Sequence, residues 1–223
     1  MVNTITTAPK AEIVCDRWVQ ATWDEFIALA DEPSLEKGRF YYDNYKMRIE
    51  MSPVGPIHAH ENAIVSKVIG IFAALKNICI YEYINCSFRK KGESECQPDI
   101  AFYLGIDLKL PPRNNAPVNL NKFDLPTLIV EISSTTLQDD LGYKRLLYER
   151  LGVKEYWVVN AQTSEVFAFA IADGRSGIVT RSLVLAGLEI TTVQEALKRS
   201  HTEDDGAIAR WLLQTFTQVL PSS

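Results

Sequence analysis

Thr127-Leu128-Ile129-Val130-Glu131-Ile132-Ser133 is an apolar run that carries a single acid, and Gln97-Pro98-Asp99-Ile100-Ala101-Phe102-Tyr103-Leu104 is a second run of the same kind. A short run that is apolar at odd and even positions alike predicts a strand covered on both faces, so Glu131 and Asp99 are expected on central strands of a sheet. A carboxylate taken out of water there costs several kcal/mol unless something compensates it. A divalent cation is one compensator, and two hard oxygen donors on neighbouring strands suit Mg2+ or Mn2+ better than zinc. An arginine or backbone N–H groups are the other, and they would make the acids structural.

With 223 residues, 47% of them hydrophobic and 23% charged, the chain has room for one domain with a sizeable core and an appendage. Met1 to Lys10 lacks a basic segment followed by an apolar one, and the longest apolar stretch, Val68 to Leu75, is too short for a bilayer. A cytoplasmic chain with no membrane partner is therefore expected. Cys15, Cys79, Cys86 and Cys96 show no C-x-x-C spacing and are expected to be buried reduced thiols. A net charge of −5 argues against charge-driven, unspecific nucleic-acid binding while leaving room for a local basic surface.

Thr22-Trp23-Asp24-Glu25 is a capping box that opens a helix through about Ala30. Asp43-Asn44 signals a tight turn, after which Met47, Ile49 and Met51 alternate with Lys46, Arg48 and Glu50 along the return strand. From His58 to Lys76 the residues Ile64, Val65, Val68, Ile69, Phe72 and Leu75 recur at helical spacing. Ile80 to Phe88 predicts a strand turned by Lys91-Gly92-Glu93, and the Pro- and Asn-rich segment between Leu104 and Thr127 predicts a loop near the site or a flap. Ser133 to Thr136 precede a helix through Leu151 that Gly152 closes, and Tyr156 to Val159, Val166 to Ile171 and Ile178 to Leu185 continue the sheet. The order helix, three strands, helix, strand gives an α/β sandwich on a mixed sheet.

Pro98-Asp99, Glu131-Ile132-Ser133, Asp140, Lys144 and Gly152-Val153-Lys154-Glu155-Tyr156-Trp157-Val158-Val159 together resemble the Uma-two family of restriction endonucleases, long catalogued as a domain of unknown function within the PD-(D/E)XK nuclease superfamily. Ile49-Glu50-Met51-Ser52-Pro53 with His58, and Ala186-Gly187-Leu188-Glu189, extend the likeness over residues 22–197. An N-terminal tail (1–21) and a C-terminal amphipathic helix (198–223) flank that nuclease domain. The resemblance implies a restriction-endonuclease-like α/β fold, a three-layer core whose mixed central sheet is flanked by helices. It also implies Mg2+-dependent hydrolysis of nucleic-acid phosphodiesters, with Mn2+ as an alternative ion and DNA as the expected substrate. Asp99, Glu131 and Lys144 are then the catalytic residues. A module that kept the fold and binds nucleic acid or protein without turnover is the alternative.

The chain departs from the superfamily pattern two residues after the acid, where Ser133 replaces lysine on the same strand face as Glu131. The resemblance moves that lysine to the following helix as Lys144. A competing reading makes Asp140 and Lys144 an ordinary surface pair four residues apart. Asn44 stands in place of the family's hairpin glycine, and Thr135 in place of its proline.

Glu61 extends the buried stripe of its helix by one turn and is the candidate third metal acid, against a solvated acid at the helix start. Glu50 is a weaker option for that third acid, since it alternates onto the face opposite Ile49 and Met51 and simple exposure explains it. His58 and His60 diverge on a helix, so His60 is expected in solvent and His58 at a phosphate or a site carboxylate. Arg89 and Lys90, with Lys91, are candidate phosphate contacts. No P-loop, Gly-x-Gly-x-x-Gly or Gly-x-Ser-x-Gly occurs, which removes support for nucleotide-driven and acyl-transfer chemistry. Ile208, Trp211, Leu212, Thr215, Phe216, Val219 and Leu220 form a stripe on a helix starting at Asp204 or Asp205; it packs on its own domain or builds a homodimer.

Overall fold

A computed structural model describes residues 14–218; most of the N-terminal tail, together with Val219 and Leu220 of the C-terminal stripe, lies outside the described residues. In chain order the elements are β1 (Val19–Gln20), α1 (Trp23–Ala30), β2 (Arg39–Asp43), β3 (Lys46–Glu50), α2 (Pro56–Leu75), β4 (Ile80–Ile84), β5 (Phe88–Lys90), β6 (Ser94–Cys96), β7 (Ile100–Leu104) and β8 (Val118–Asn119). There follow β9 (Leu128–Ser133), α3 (Leu137–Asp139), a π-helical turn Asp140–Lys144, α4 (Arg145–Leu151), β10 (Glu155–Asn160), β11 (Glu165–Ala172), β12 (Arg175–Val179), α5 (Ile190–Arg199) and α6 (Asp205–Gln218).

The central sheet runs β12-β11-β10-β9-β7-β4. β9 and β10 are parallel, joined by the helical crossover that a parallel pair requires, and the other pairs of this sheet are antiparallel. All six residues of β9 are buried, as a strand apolar on both faces demands. On one face Ile100, Phe102, Leu128, Val130, Ile132, Trp157 and Val159 join Ile64, Val65, Val68, Ile69 and Phe72 of α2, with α5 and α6 closing the cluster. The opposite face carries Ala101, Tyr103, Ile129, Tyr156 and Val158 against Leu147 and Tyr148 of α4 and against Tyr41, Phe88 and Cys96. The architecture is the α/β three-layer core with a mixed central sheet read from the sequence.

The outer layer on that second face holds more than a helix. A second mixed sheet, β1-β3-β2-β6-β5-β8, lies there beside α4. β2 and β3 form a two-residue hairpin in which Asn44 and Tyr45 both take positive φ (47° and 60°), the mirror-image turn that matches strand twist; asparagine tolerates that conformation in place of glycine. The strand expected over Ile80–Phe88 is broken at Asn85 (φ 52°), whose N–H bonds the Asp99 carbonyl, so β4 and β5 belong to different sheets. The strand expected over Ile178–Leu185 stops at Val179, because the buried Glu155 Oε2 captures the N–H groups of Leu183 and Val184 at 2.8 and 3.2 Å and holds them as a turn. The later part of the segment after Leu104 is clamped to the edge of the second sheet, Val118 N–H on Ser87 O and Leu120 N–H on Arg89 O, and none of the segment's residues lines the cleft described below.

Ile208, Leu212 and Phe216 of α6 are buried in the main core, and Phe216 meets Phe72 edge-on, so the stripe is used within the chain. Cys96 is buried but Cys86 only half-buried, and Cys79 is exposed, against the expectation for it. Among the described residues no helix is long and apolar enough to cross a membrane.

Candidate active site

Ile100 pairs with Val130 across the antiparallel β7–β9 ladder, so Asp99 and Glu131, one residue further out, oppose each other at the end of the two strands. The Ile132 N–H donates to Asp99 Oδ2 at 2.7 Å, tying the two strand ends together. Lys144 reaches them from the helical crossover. Its turn is π-helical, a wide single turn of the kind frequent at functional sites, and it buries both Asp140 and Lys144. The surface-pair reading of these two is thereby excluded: Asp140 is 1% exposed and Lys144 2%.

The Lys144 Nζ lies 2.9 Å from Asp140 Oδ1, 3.1 Å from Glu50 Oε1 and 3.8 Å from Glu131 Oε2, and sits 4.2 Å above the Tyr41 ring. Burial works against its charge, but Asp140, Glu131 and Glu50 hold the ammonium well above the ordinary lysine range. Asp140 is itself fixed by the Thr136 hydroxyl, which donates to Oδ2 at 2.6 Å. Glu131 accepts from the Tyr148 hydroxyl at 2.7 Å on Oε1. Burial pushes the Glu131 carboxyl well above the usual carboxylate range; Lys144 opposes that, while Asp99 and Asp140 add to it.

Asp99 has the opposite balance. Burial again disfavours its charge, yet the His58 hydrogen bond, the Arg39 guanidinium and the Ile132 N–H together hold its carboxyl below the ordinary value. Arg39 Nη1 donates to Oδ1, and His58 Nε2 lies 3.1 Å from Oδ2. Two carboxylates on adjacent strands are thus driven apart in acidity by their surroundings, a pattern that separates roles at reactive centres.

The structure brings Asp99, Glu131, Lys144 and His58 to one cleft of about 460 Å3. It does not bring Glu61 there. Glu61 turns to the connection between α5 and α6, where Oε1 lies 3.4 Å from His201 Nε2, because it projects one turn beyond His58 toward α6. Arg89 and Lys90 are also elsewhere: β5 carries them in the second sheet, where Arg89 is bound to the buried Glu95 and Lys90 pairs with Glu93 at 2.6 Å. His60 is exposed, as expected, and lies 2.9 Å from the equally exposed Asp205 Oδ1.

Several residues of the site were missed or discounted in the sequence reading. Glu50 is not a surface acid; it faces the cleft, bound by Lys144 and by Arg48 Nε at 2.8 Å, because the outer sheet folds its face over the site. Arg48 also pairs with Asp139 at 3.0 Å. Arg39 follows no motif, and nothing local in the sequence marks it. Tyr148 had a usable signal, since it lies four residues after Lys144 and so on the same helical face.

Among the described residues no group of three or more His, Cys, Asp or Glu side chains is arranged to hold a metal ion. The donor set is nonetheless of the right kind for a hard ion. The cleft is lined by five carboxylates, Asp16, Glu50, Asp99, Glu131 and Asp139, against three permanent cations, Arg39, Arg48 and Lys144. Mg2+ characteristically binds through one or two carboxylates and keeps water or phosphate in its other positions, so Asp99 and Glu131 suffice in number.

The model of the Uma2 family, described as "putative restriction endonuclease", matches residues 23–214. The chain belongs to the Uma2 family. The match continues past residue 197 and takes in most of α6, in keeping with the burial of that helix in the main core. A solved structure from Anabaena variabilis ATCC 29413, described as "a putative nuclease belonging to DUF820", superposes with a TM-score of 0.54 at 20% identity, covering 79% of this chain and 98% of that one. At that identity the likeness speaks for the shared fold. No curated protein matches the chain.

Proposed function

We propose that this member of the Uma2 family is a metal-dependent endonuclease that hydrolyses nucleic-acid phosphodiester bonds, with DNA as substrate and Mg2+ or Mn2+ held by Asp99 and Glu131. The observation that supports it is the meeting of Asp99, Glu131 and Lys144, from three separate segments, at the floor of one acidic cleft. A divalent ion bound there would lower the pKa of a water and polarise the phosphoryl group.

The roles of the side chains follow from their settings. Lys144 is held as an ammonium chiefly by Asp140 and Glu50, at 2.9 and 3.1 Å, so it is not a general base; its part is to offset negative charge on the phosphoryl oxygens. Tyr148 fixes the orientation of Glu131, and Asp140, itself braced by Thr136, fixes Lys144. Glu131 must give up its proton for its carboxylate to take a cation, which makes binding depend on pH.

A second reading has its own support. Both oxygens of Asp99 are covered by donors of the chain itself, which suits a module that kept the fold and lost turnover. A nicking assay on supercoiled and branched DNA in Mg2+, Mn2+ or EDTA, with wild type, Glu131→Ala and Lys144→Ala, decides between them. Cleavage in metal that both substitutions abolish is expected. Cleavage that survives Glu131→Ala, or binding without cutting in every metal, would overturn the nuclease reading.

A further inference from the structure

We propose that Arg39 is a phosphate contact of this site and that it competes with the divalent ion for Asp99. The inference rests on the metal-dependent reading above and adds a residue that no motif marks.

Arg39 opens β2 and points into the cleft with its side chain 16% exposed. Nη1 donates to Asp99 Oδ1 and Nη2 to Asn85 Oδ1 at 2.8 Å, so one edge of the guanidinium is anchored on a carboxylate and an amide. A guanidinium carries five N–H donors in a rigid fork, and two anchored bonds leave the others for a ligand. The remaining permanent cations of the cleft are more fully engaged. Arg48 is pinned by Glu50, Asp139 and the Asp16 carbonyl with 3% of its side chain exposed, and Lys144 is enclosed by three carboxylates. Arg39 is therefore the cation best placed to meet a phosphate, in the bidentate manner arginine favours.

The Asp99 side of the contact supplies the competition. Oδ2 already accepts the Ile132 N–H and faces His58, so Oδ1, the atom Arg39 holds, is the oxygen an ion would have to share or take. Two positive groups on one oxygen repel, so an ion at Asp99 loosens Arg39 and turns its charge toward the phosphate. A residue that only neutralises Asp99 would not behave in this way. With Ca2+ occupying Asp99, the removal of such a residue would leave nucleic-acid affinity where it was.

The test measures two affinities on the full chain. Mn2+ alone is titrated calorimetrically, and a fluorescein-labelled oligonucleotide is followed by anisotropy in Ca2+, for wild type, Arg39→Ala, Arg39→Lys and Asn85→Ala. Arg39→Ala is expected to bind Mn2+ about tenfold more tightly and the oligonucleotide about ten- to a hundredfold more weakly, the scale of one charged hydrogen-bonding group. Arg39→Lys should recover part of the oligonucleotide binding, and Asn85→Ala should tighten Mn2+ binding by a smaller factor. Weaker Mn2+ binding by Arg39→Ala, or an oligonucleotide affinity equal to wild type, overturns the proposal. If circular dichroism shows that Arg39→Ala does not fold, the other two variants decide, and unchanged Mn2+ affinity in both overturns it. Wild type that binds both probes but cuts nothing removes the nuclease reading and leaves the Arg39 comparison standing. Wild type that cuts, while Arg39→Ala binds the oligonucleotide equally well, does the reverse. Wild type that binds neither probe removes both.

Discussion

On one face of β9, Leu128, Val130 and Ile132 lie in an apolar cluster with α2, α5 and α6; on the other, Ile129 is followed by Glu131, set among Lys144, Tyr148 and the opposing Asp99. The first face is what folding alone would select. Each fully buried large apolar side chain contributes about 1.5–3 kcal/mol. The second face ends in a network of buried charges, which apolar residues of equal volume would commonly replace at no loss, or with a gain of about 1–4 kcal/mol. A strand that carries both therefore separates positions that stabilise the fold, on either face, from a terminal cluster of buried charges that stability alone does not account for.

The sharpest way to break that contrast is Glu131→Gln, which keeps shape and removes the carboxylate. Cleavage should fall by about a thousandfold, the scale of losing a group that acts on the reacting charge, while the thermal midpoint at neutral pH stays level or rises because a costly buried acid is gone. Phe72→Ala on the other face should do the opposite. It removes a fully buried ring that contacts Phe216, costs about 3–5 kcal/mol in urea unfolding, and leaves the cleavage rate per folded molecule unchanged. If both substitutions moved stability and rate together, the division between the faces would be lost.

The two acids also answer pH with opposite signs. Burial raises Glu131, so between the ordinary carboxylate value and its raised one the folded chain holds a proton that the unfolded chain has released; stability falls as pH rises through that window. Asp99 is lowered, despite burial, by His58 and Arg39; its contribution is present above its unfolded value and lost as pH falls through the folded one. Cleavage needs Glu131 ionised, so on the acid side the rate should climb about tenfold per pH unit. Glu131→Gln should flatten the stability profile in that window. A wild-type rate that is flat with pH there would contradict the proposed role of the carboxylate.

The central strands were legible because a lone acid in an otherwise apolar run is an expensive arrangement, and the helical crossover of Lys144 because residues of capping type precede it and Gly152 closes it in the left-handed conformation. Of the outer sheet only the β2–β3 hairpin was. Its strands are short, and β4 and β5 read as one strand because the break at Asn85 is a single left-handed residue. That omission hid Glu50, Arg48 and Arg39, all of which reach the cleft only because a second sheet folds over it. Alternation along β3 says correctly that Glu50 and Ile49 face opposite ways, but not that a buried lysine waits on the Glu50 side.

Glu61 supplies the mildest test, and the comparison it sharpens is between two buried acids. Like Glu131, it is almost wholly buried and raised by desolvation, with His201 opposing the shift. Unlike Glu131, it pairs with no lysine and no second carboxylate among the described residues; His201 and His60 act on it, and through the His201 ring it reaches Ser164, at the connection that docks α6. Glu61→Gln keeps the acceptor that faces His201 and places an amide where Oε2 has no hydrogen-bond partner among the described residues. The change in stability should stay within about 1 kcal/mol, and cleavage should match wild type. A collapse of cleavage comparable to that of Glu131→Gln would show that burial alone does not tell a reactive acid from a structural one here, and would return Glu61 to the metal site.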